Sequence, residues 1–166
     1  MSKTHIEENQ EGTTARQPEM AADSFCHTLD QQSRLTIPGE WRPMIGIKVA
    51  MLVVPEPDTK KLKVMLPLRT QEFFETLRQK ESEIMGEDAD AIEDFFANSQ
   101  NITMDAAGRI RICDRLLEYA GITKDVTLRG AGRYIVLSAA DASKQGEASP
   151  NSATFKNSLV KMGLMK

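Results

Sequence analysis

The stretch TLDQQSRLTIPGEWRPMIGI, residues 28–47, is met again 75 residues later as TMDAAGRIRICDRLLEYAGI, residues 103–122. Thr28, Asp30, Arg34, Ile37, Gly46 and Ile47 recur without a gap as Thr103, Asp105, Arg109, Ile112, Gly121 and Ile122. Apolar class is kept where identity is not: Leu29 with Met104, Leu35 with Ile110, Trp41 with Leu116. Farther on, one inserted residue brings KVAMLVV (48–54) against KDVTLRG (124–130). Two copies are too few for a solenoid. They predict two like halves packed as an internal pseudo-dimer.

Each copy carries one plan. A short strand (Phe25–Leu29; Ile102–Met104) enters a turn and leaves as an alternating strand, RLTI or RIRI. Alternation sets Leu35 and Ile37, or Ile110 and Ile112, on one side, with Arg109 and Arg111 on the other. The turn DAAG ends in Gly108, suited to the left-handed residue that closes a hairpin. Ser33 holds that position in the first copy, where a side chain costs about 1 kcal/mol. The first turn is therefore expected to be strained or differently shaped. Short helices are expected over Gly39–Ile45, distorted by Pro43, and over Asp114–Ala120, ended by Gly121. Two strands close each copy: KVAMLVV and KLKVML around PDTK, then DVTLRG and AGRYIVLS. Trp41, in phase with Leu116, is expected in the core.

Between the copies, Phe73, Phe74, Leu77, Ile84 and Met85 recur at helical spacing, as do Ile92, Phe95 and Phe96. Gly86 marks a break, and Asp90 with Glu93 forms a helix-start signal. Both phenylalanine pairs are expected in the core. The organisation predicted is a disordered acidic extension over 1–24, a first repeat over 25–66 and a helical connector over 67–98. A second repeat over 99–143 and a basic, largely disordered tail over 144–166 complete it. The closing SLVKMGLMK has the pattern of a short amphipathic helix. The net charge of −3 is unevenly spread: the connector holds three basic and nine acidic residues, whereas both repeats and the tail are net positive.

A chain of 166 residues, 40% hydrophobic and 27% charged, has room for a globular core. No apolar run approaches the ~20 residues of a membrane helix. The first twenty residues lack the apolar stretch of a secretory signal, and two cysteines make no disulfide framework. These features predict a cytoplasmic protein without membrane attachment. Cys26 and His27 point to opposite faces of a strand, so no metal site is expected. Paired carboxylates, a nucleophile–base set and a phosphate loop are not found, so an enzyme is not expected either.

The two D-x-x-x-R turns in phase, TLDQQSRLTIP and TMDAAGRIRI, resemble those of the MraZ family. VMLPLRTQEFFETL is similar to the family's strand–Pro–helix step, and IEDFFANSQNITMDAAGRIRI to its helix leading into the second repeat. LLEYAGITKDVTLRGAGRYIVLS is similar to its closing helix and strands, so the resemblance covers residues 24–141. It implies a mainly β, α+β fold: two SpoVT-AbrB repeats forming one swapped-hairpin, double-split β-barrel, with a helical connector. It further implies a bacterial, nucleoid-associated transcriptional regulator, neither enzyme nor cofactor-dependent, without a small-molecule substrate. Its implied partners are double-stranded DNA, at short direct repeats upstream of a cell-division and cell-wall gene cluster including its own promoter, and itself, as a ring. Departures are the N-terminal extension, Ser33 in place of Gly, and Cys113-Asp114 where the first copy keeps Ile37-Pro38.

Arg34 and Arg109 read in two ways. A guanidinium starting the return strand can project past the turn and bind phosphate or guanine bidentately, or it can merely tie the turn to Asp30 or Asp105. The resemblance favours DNA contact by Arg34 and Arg109, joined by Arg111, with Asp30 and Asp105 orienting the arginines. Arg42, Arg115, Lys48 and Lys124 either extend this face or are ordinary solvated charges, and Lys60, Lys61 and Lys63 mark a charged hairpin tip. A second class stays open: an AbrB/MazE-like antitoxin or other protein-binding module acting through its tails.

Overall fold

Strand-forming alternation and turn residues give eight strands among the described residues. A computed structural model describes residues 19–83, 86–140 and 149–166. The expectations for 1–18, for Ile84 and Met85 and for 141–148 lie outside the described residues. In chain order the elements are β1 (Ser24–Thr28), β2 (Arg34–Thr36), α1 (Arg42–Ile45), β3 (Met51–Glu56) and β4 (Lys61–Met65). Then come α2 (Pro67–Lys80), α3 (Glu87–Ala97), β5 (Gln100–Ile102), β6 (Arg109–Arg111) and α4 (Asp114–Ala120). The last are β7 (Asp125–Gly130), β8 (Tyr134–Ala139) and α5 (Ala153–Lys161).

Six strands form one antiparallel sheet in the order β1-β7-β8-β4-β3-β5, and β2 with β6 forms a separate two-stranded ribbon. Shifting every residue by 75 turns this order onto itself. The pair Phe25↔Leu128 becomes Gln100↔Val53, and both are observed. Leu35↔Ile110 and Leu62↔Leu137 map onto themselves, so they mark a pseudo-two-fold axis. The mainly antiparallel α+β architecture agrees with the AbrB-type split barrel that the resemblance implies. It also removes the one-residue insertion read from sequence. Met51 takes the place of Val126, and Val53 that of Leu128, because their inward phase decides the register.

The strands on either side of each D-x-x-x-R turn do not pair as hairpins. β1 leaves the turn to border β7, and β2 leaves it to border β6. The apolar faces explain the parting. Leu35 and Ile37 are fully buried in one layer while Phe25 packs from another, edge-on against Trp41 at 5.1 Å. Every strand of one copy borders a strand of the other: β1 with β7, β2 with β6, β3 with β5 and β4 with β8. The core therefore fills from both: Leu35, Trp41, Met51 and Leu62 from the first, Ile110, Leu116, Leu128 and Leu137 from the second.

Several local expectations are corrected. The expected acidic extension does not run to residue 24 outside the fold. Ala21 is buried and bridges Gly132 through two backbone hydrogen bonds of 2.7 and 2.9 Å. Gly130 permits this approach, because a Cβ there would stand 2.6 Å from the Ala21–Ala22 backbone. Pro43 confines α1 to one turn. α3 starts at Glu87, after Gly86, so Asp90 and Glu93 fall inside the helix. The four phenylalanines of α2 and α3 are half-buried and form their own cluster, Phe73–Phe95 at 5.4 Å and Phe95–Phe96 at 5.3 Å. Only Thr70 of α2 is buried, so the helices lean on each other more than on the barrel core. The tail expected to be largely disordered contains α5.

Candidate nucleic-acid interface

The two turns are built alike. Asp30 Oδ1 accepts the backbone N–H groups of Gln32 and Arg34, both at 2.9 Å. Asp105 Oδ1 accepts those of Ala107 and Arg109, also at 2.9 Å. The second oxygen of each carboxylate takes the arginine Nε, at 2.7 Å for Arg34 and 3.0 Å for Arg109. The spacing D-x-x-x-R is what lets one aspartate bind both its turn and the side chain four residues on. Ser33 answers the question its sequence position posed. Its φ of 59° is left-handed, as is 77° at Gly108, so the turn keeps its shape with a serine in it. Both aspartates are held below the ordinary carboxylate range, first by the bond from the arginine backbone N–H. Partial desolvation opposes this, and the guanidinium adds to the lowering.

On the ribbon, Arg34 stands directly across from Arg111 and Thr36 across from Arg109. Leu35 and Ile110, between them, face the core at 0% and 1% exposure. All three arginines therefore project from the outer face of one ribbon. Like charges facing each other across a ladder disfavour the pairing. Two of the three guanidinia are offset by their turn aspartates, and Arg111 makes no ion pair among the described residues. Each aspartate engages only Nε. Among the described residues no hydrogen bond uses the Nη atoms of Arg34 or Arg109. The tie and the open fork thus coexist on one side chain, and the two sequence readings do not exclude each other.

Other basic candidates are placed differently. Arg42 donates Nε to the Ile37 carbonyl at 2.9 Å and lies over Gly108, tying α1 of the first copy to the turn of the second. Arg115 donates to the Ala97 carbonyl at 2.8 Å. Lys63 pairs with Glu56 at 3.6 Å at the β3–β4 hairpin. Trp41 is buried as expected and donates its indole N–H to the Ala22 carbonyl at 2.9 Å. Arg42 was a candidate for another role, and no local pattern announces a contact with a turn 66 residues away in the chain.

A family model described as "MraZ protein, putative antitoxin-like" matches residues 95–155. A relative from Syntrophomonas wolfei named transcriptional regulator MraZ is 30% identical over 119 residues, 70% of this chain and 78% of the relative. The chain belongs to the MraZ family. A relative of the same name from Mesoplasma florum is 31% identical over 112 residues, 66% of this chain and 73% of that protein. One from Dictyoglomus thermophilum is 29% identical over 119 residues, 70% and 77% respectively. MraZ relatives carry the name of transcriptional regulators, a role that is regulatory and not enzymatic. Among the described residues of this MraZ chain, no helix is long and apolar enough to cross a membrane.

Proposed function

We propose that this MraZ-family chain regulates transcription by binding double-stranded DNA with the outer face of the β2–β6 ribbon. The observation that carries the reading is the register: Arg34, Arg109 and Arg111 share one face, and the first two hold their Nη forks open. A two-stranded ribbon fits the major groove, where an arginine fork matches guanine O6 and N7 or a phosphate. The acidic net charge does not oppose this, because the acidic excess lies in the connector and extension. Asp30 and Asp105 position the arginines. The targets are short direct repeats upstream of a cell-division and cell-wall gene cluster, the chain's own promoter among them. The protein works as a homo-oligomeric ring on the nucleoid, in the cytoplasm. Repetition of a weak ribbon contact around such a ring raises effective concentration without new contacts.

The test is a mobility shift on the DNA upstream of the gene, with Arg34→Ala, Arg109→Ala and wild type. Either substitution is expected to weaken binding sharply. Loss of a guanine contact costs ~1–3 kcal/mol per engaged subunit. Loss of a phosphate contact flattens the salt slope by about 1. If both variants stay folded and bind like wild type, the arginines are ties only and the ribbon is not the interface.

A further inference from the structure

DNA binding by the ribbon leaves the C-terminal segment without a task. Residues 149–166 carry Lys156, Lys161 and Lys166 and no acidic residue. Helix α5 is defined at both ends by its own sequence. Ser152 Oγ accepts the Phe155 N–H at 3.1 Å. At the other end Gly163 turns left-handed at φ 72°, and the Leu164 N–H reaches the Leu159 carbonyl at 2.9 Å. A nine-residue helix is marginal alone in water. Yet Phe155, Val160, Met162 and Leu164 stand exposed. Phe155, Leu159 and Met162 follow at four and three residues and make one apolar stripe, with Lys156 and Lys161 beside it.

The barrel offers a matching receptor. A cleft of about 390 Å³ opens between the end of β3, the last turn of α3 and α4. Val54, Pro55, Phe95 and Leu116 form its apolar wall; Asp94, Tyr119 and Arg115 also line it, the last donating to the Ala97 carbonyl. Asp90 and Glu93 on α3 are exposed beside Asp94 and add to the negative field of the connector. An apolar slot with an acidic rim complements an apolar stripe flanked by lysines.

We propose that α5 of one copy docks in the α3–α4 cleft of a second copy of this chain. Eight residues separate Ala140 from Ser149, a tether of up to roughly 30 Å. Ala140 donates its N–H to the Asp125 carbonyl, a few residues beyond α4. None of the α5 residues lines the cleft of its own chain, where Phe155 and Met162 stay exposed. The occupant of each cleft comes from a neighbour. Anionic lipid and DNA also attract basic amphipathic helices, but neither would use an acidic-rimmed cleft.

Amide hydrogen exchange on the full chain tests this with two complementary variants. Phe155→Glu/Leu159→Glu disables the tail, and Asn98→Trp fills the cleft. Wild-type α5 amides are expected to exchange at least about tenfold more slowly than those of either variant. Co-expressing the two variants is expected to restore protection on the Asn98→Trp chains, whose intact tails then find open clefts. Asp94→Lys is expected to lower protection, and Lys156→Glu/Lys161→Glu in the same chain to recover it. Unchanged far-UV circular dichroism and urea midpoints confirm that each variant is folded. The proposal is overturned by unprotected wild-type α5, by protection that survives Asn98→Trp, or by mixing that restores nothing. Protection arising only with phosphatidylglycerol vesicles or duplex DNA overturns it as well.

Discussion

Arg42 and Gly108 allow a quantitative test of how the two copies interlock. A Cβ added at Gly108 would stand 2.3 Å from Arg42 Nε and 2.5 Å from its Cζ. The guanidinium must swing away, giving up its 2.9 Å bond to the Ile37 carbonyl. That bond contributes about 1 kcal/mol. The left-handed φ of 77° adds roughly 1–2 kcal/mol of strain for any side chain, partly offset by the smaller backbone entropy of the unfolded alanine chain. Gly108→Ala is therefore expected to destabilise by about 2 kcal/mol. In an Arg42→Ala background only the backbone part remains, about 1 kcal/mol, which leaves a coupling of about 1 kcal/mol. Ser33 has the same left-handed geometry, so Ser33→Gly is expected to stabilise by up to about 1 kcal/mol. Urea midpoints at one fixed protein concentration give all of these values. An additive Gly108/Arg42 cycle would refute the interlock, and an unchanged or lowered midpoint for Ser33→Gly would refute the strain.

Thr36 occupies in the first copy the place of Arg111 in the second. Thr36→Arg is expected to tighten DNA binding and steepen its salt slope by about 1; a flat response in a salt titration would show that this end of the ribbon misses the phosphates. Gly130→Ala pushes a methyl into the Ala21–Ala22 backbone, which cannot yield as a side chain does. It should cost ~1–3 kcal/mol and free the 21–23 segment to amide exchange, and a wild-type midpoint would contradict the close approach. The depressed aspartates fix a pH window. A lowered folded pKa adds stability that is complete above the unfolded aspartate value, near 4, and lost as pH falls through the lower folded values. Turn amides of Arg34 and Arg109 should hold their NMR shifts from pH 8 to about 5 and move only below ~4; movement centred near neutrality would rule out the aspartate tie.

What could be read from residues alone followed from locality. The D-x-x-x-R turns and the Gly121 end of α4 at φ 65° are settled within five or six neighbouring residues, whereas the Ser152 start of α5 is not read from the tail. Burial of Trp41 follows from its phase with Leu116. The parting of β1 from β2 does not follow, because a closed turn predicts a hairpin and only the competing apolar layers redirect its strands. The one-residue insertion read after residue 47 does not hold, because Met51 and Val53 face inward where Val126 and Leu128 do. At the ribbon, sequence alternation assigned Arg109 and Arg111 to one face. The cross-strand placement of Arg34 opposite Arg111 depends on a pairing between residues 77 apart, and no single-copy pattern encodes it. Asp90-x-x-Glu93 misled for a chemical reason: in an acidic helix, carboxylates three apart recur without capping anything.

The exchange of strands between copies also sets a clock. β1 is complete at Thr28, and its partner β7 ends at Gly130, about a hundred residues later. At ~5–20 residues per second the first copy waits roughly 5–20 s on the ribosome for the strand that borders it. Throughout that interval Leu35, Ile37, Trp41 and Met51 have no second layer to bury against. Neighbouring ribosomes on one message hold identical first copies in the same state. Leu35 lies on the pseudo-two-fold axis, so two nascent first copies can meet across it much as the two halves of one chain do. Synthesis time across the connector, where α2 and α3 are translated, sets the length of that interval.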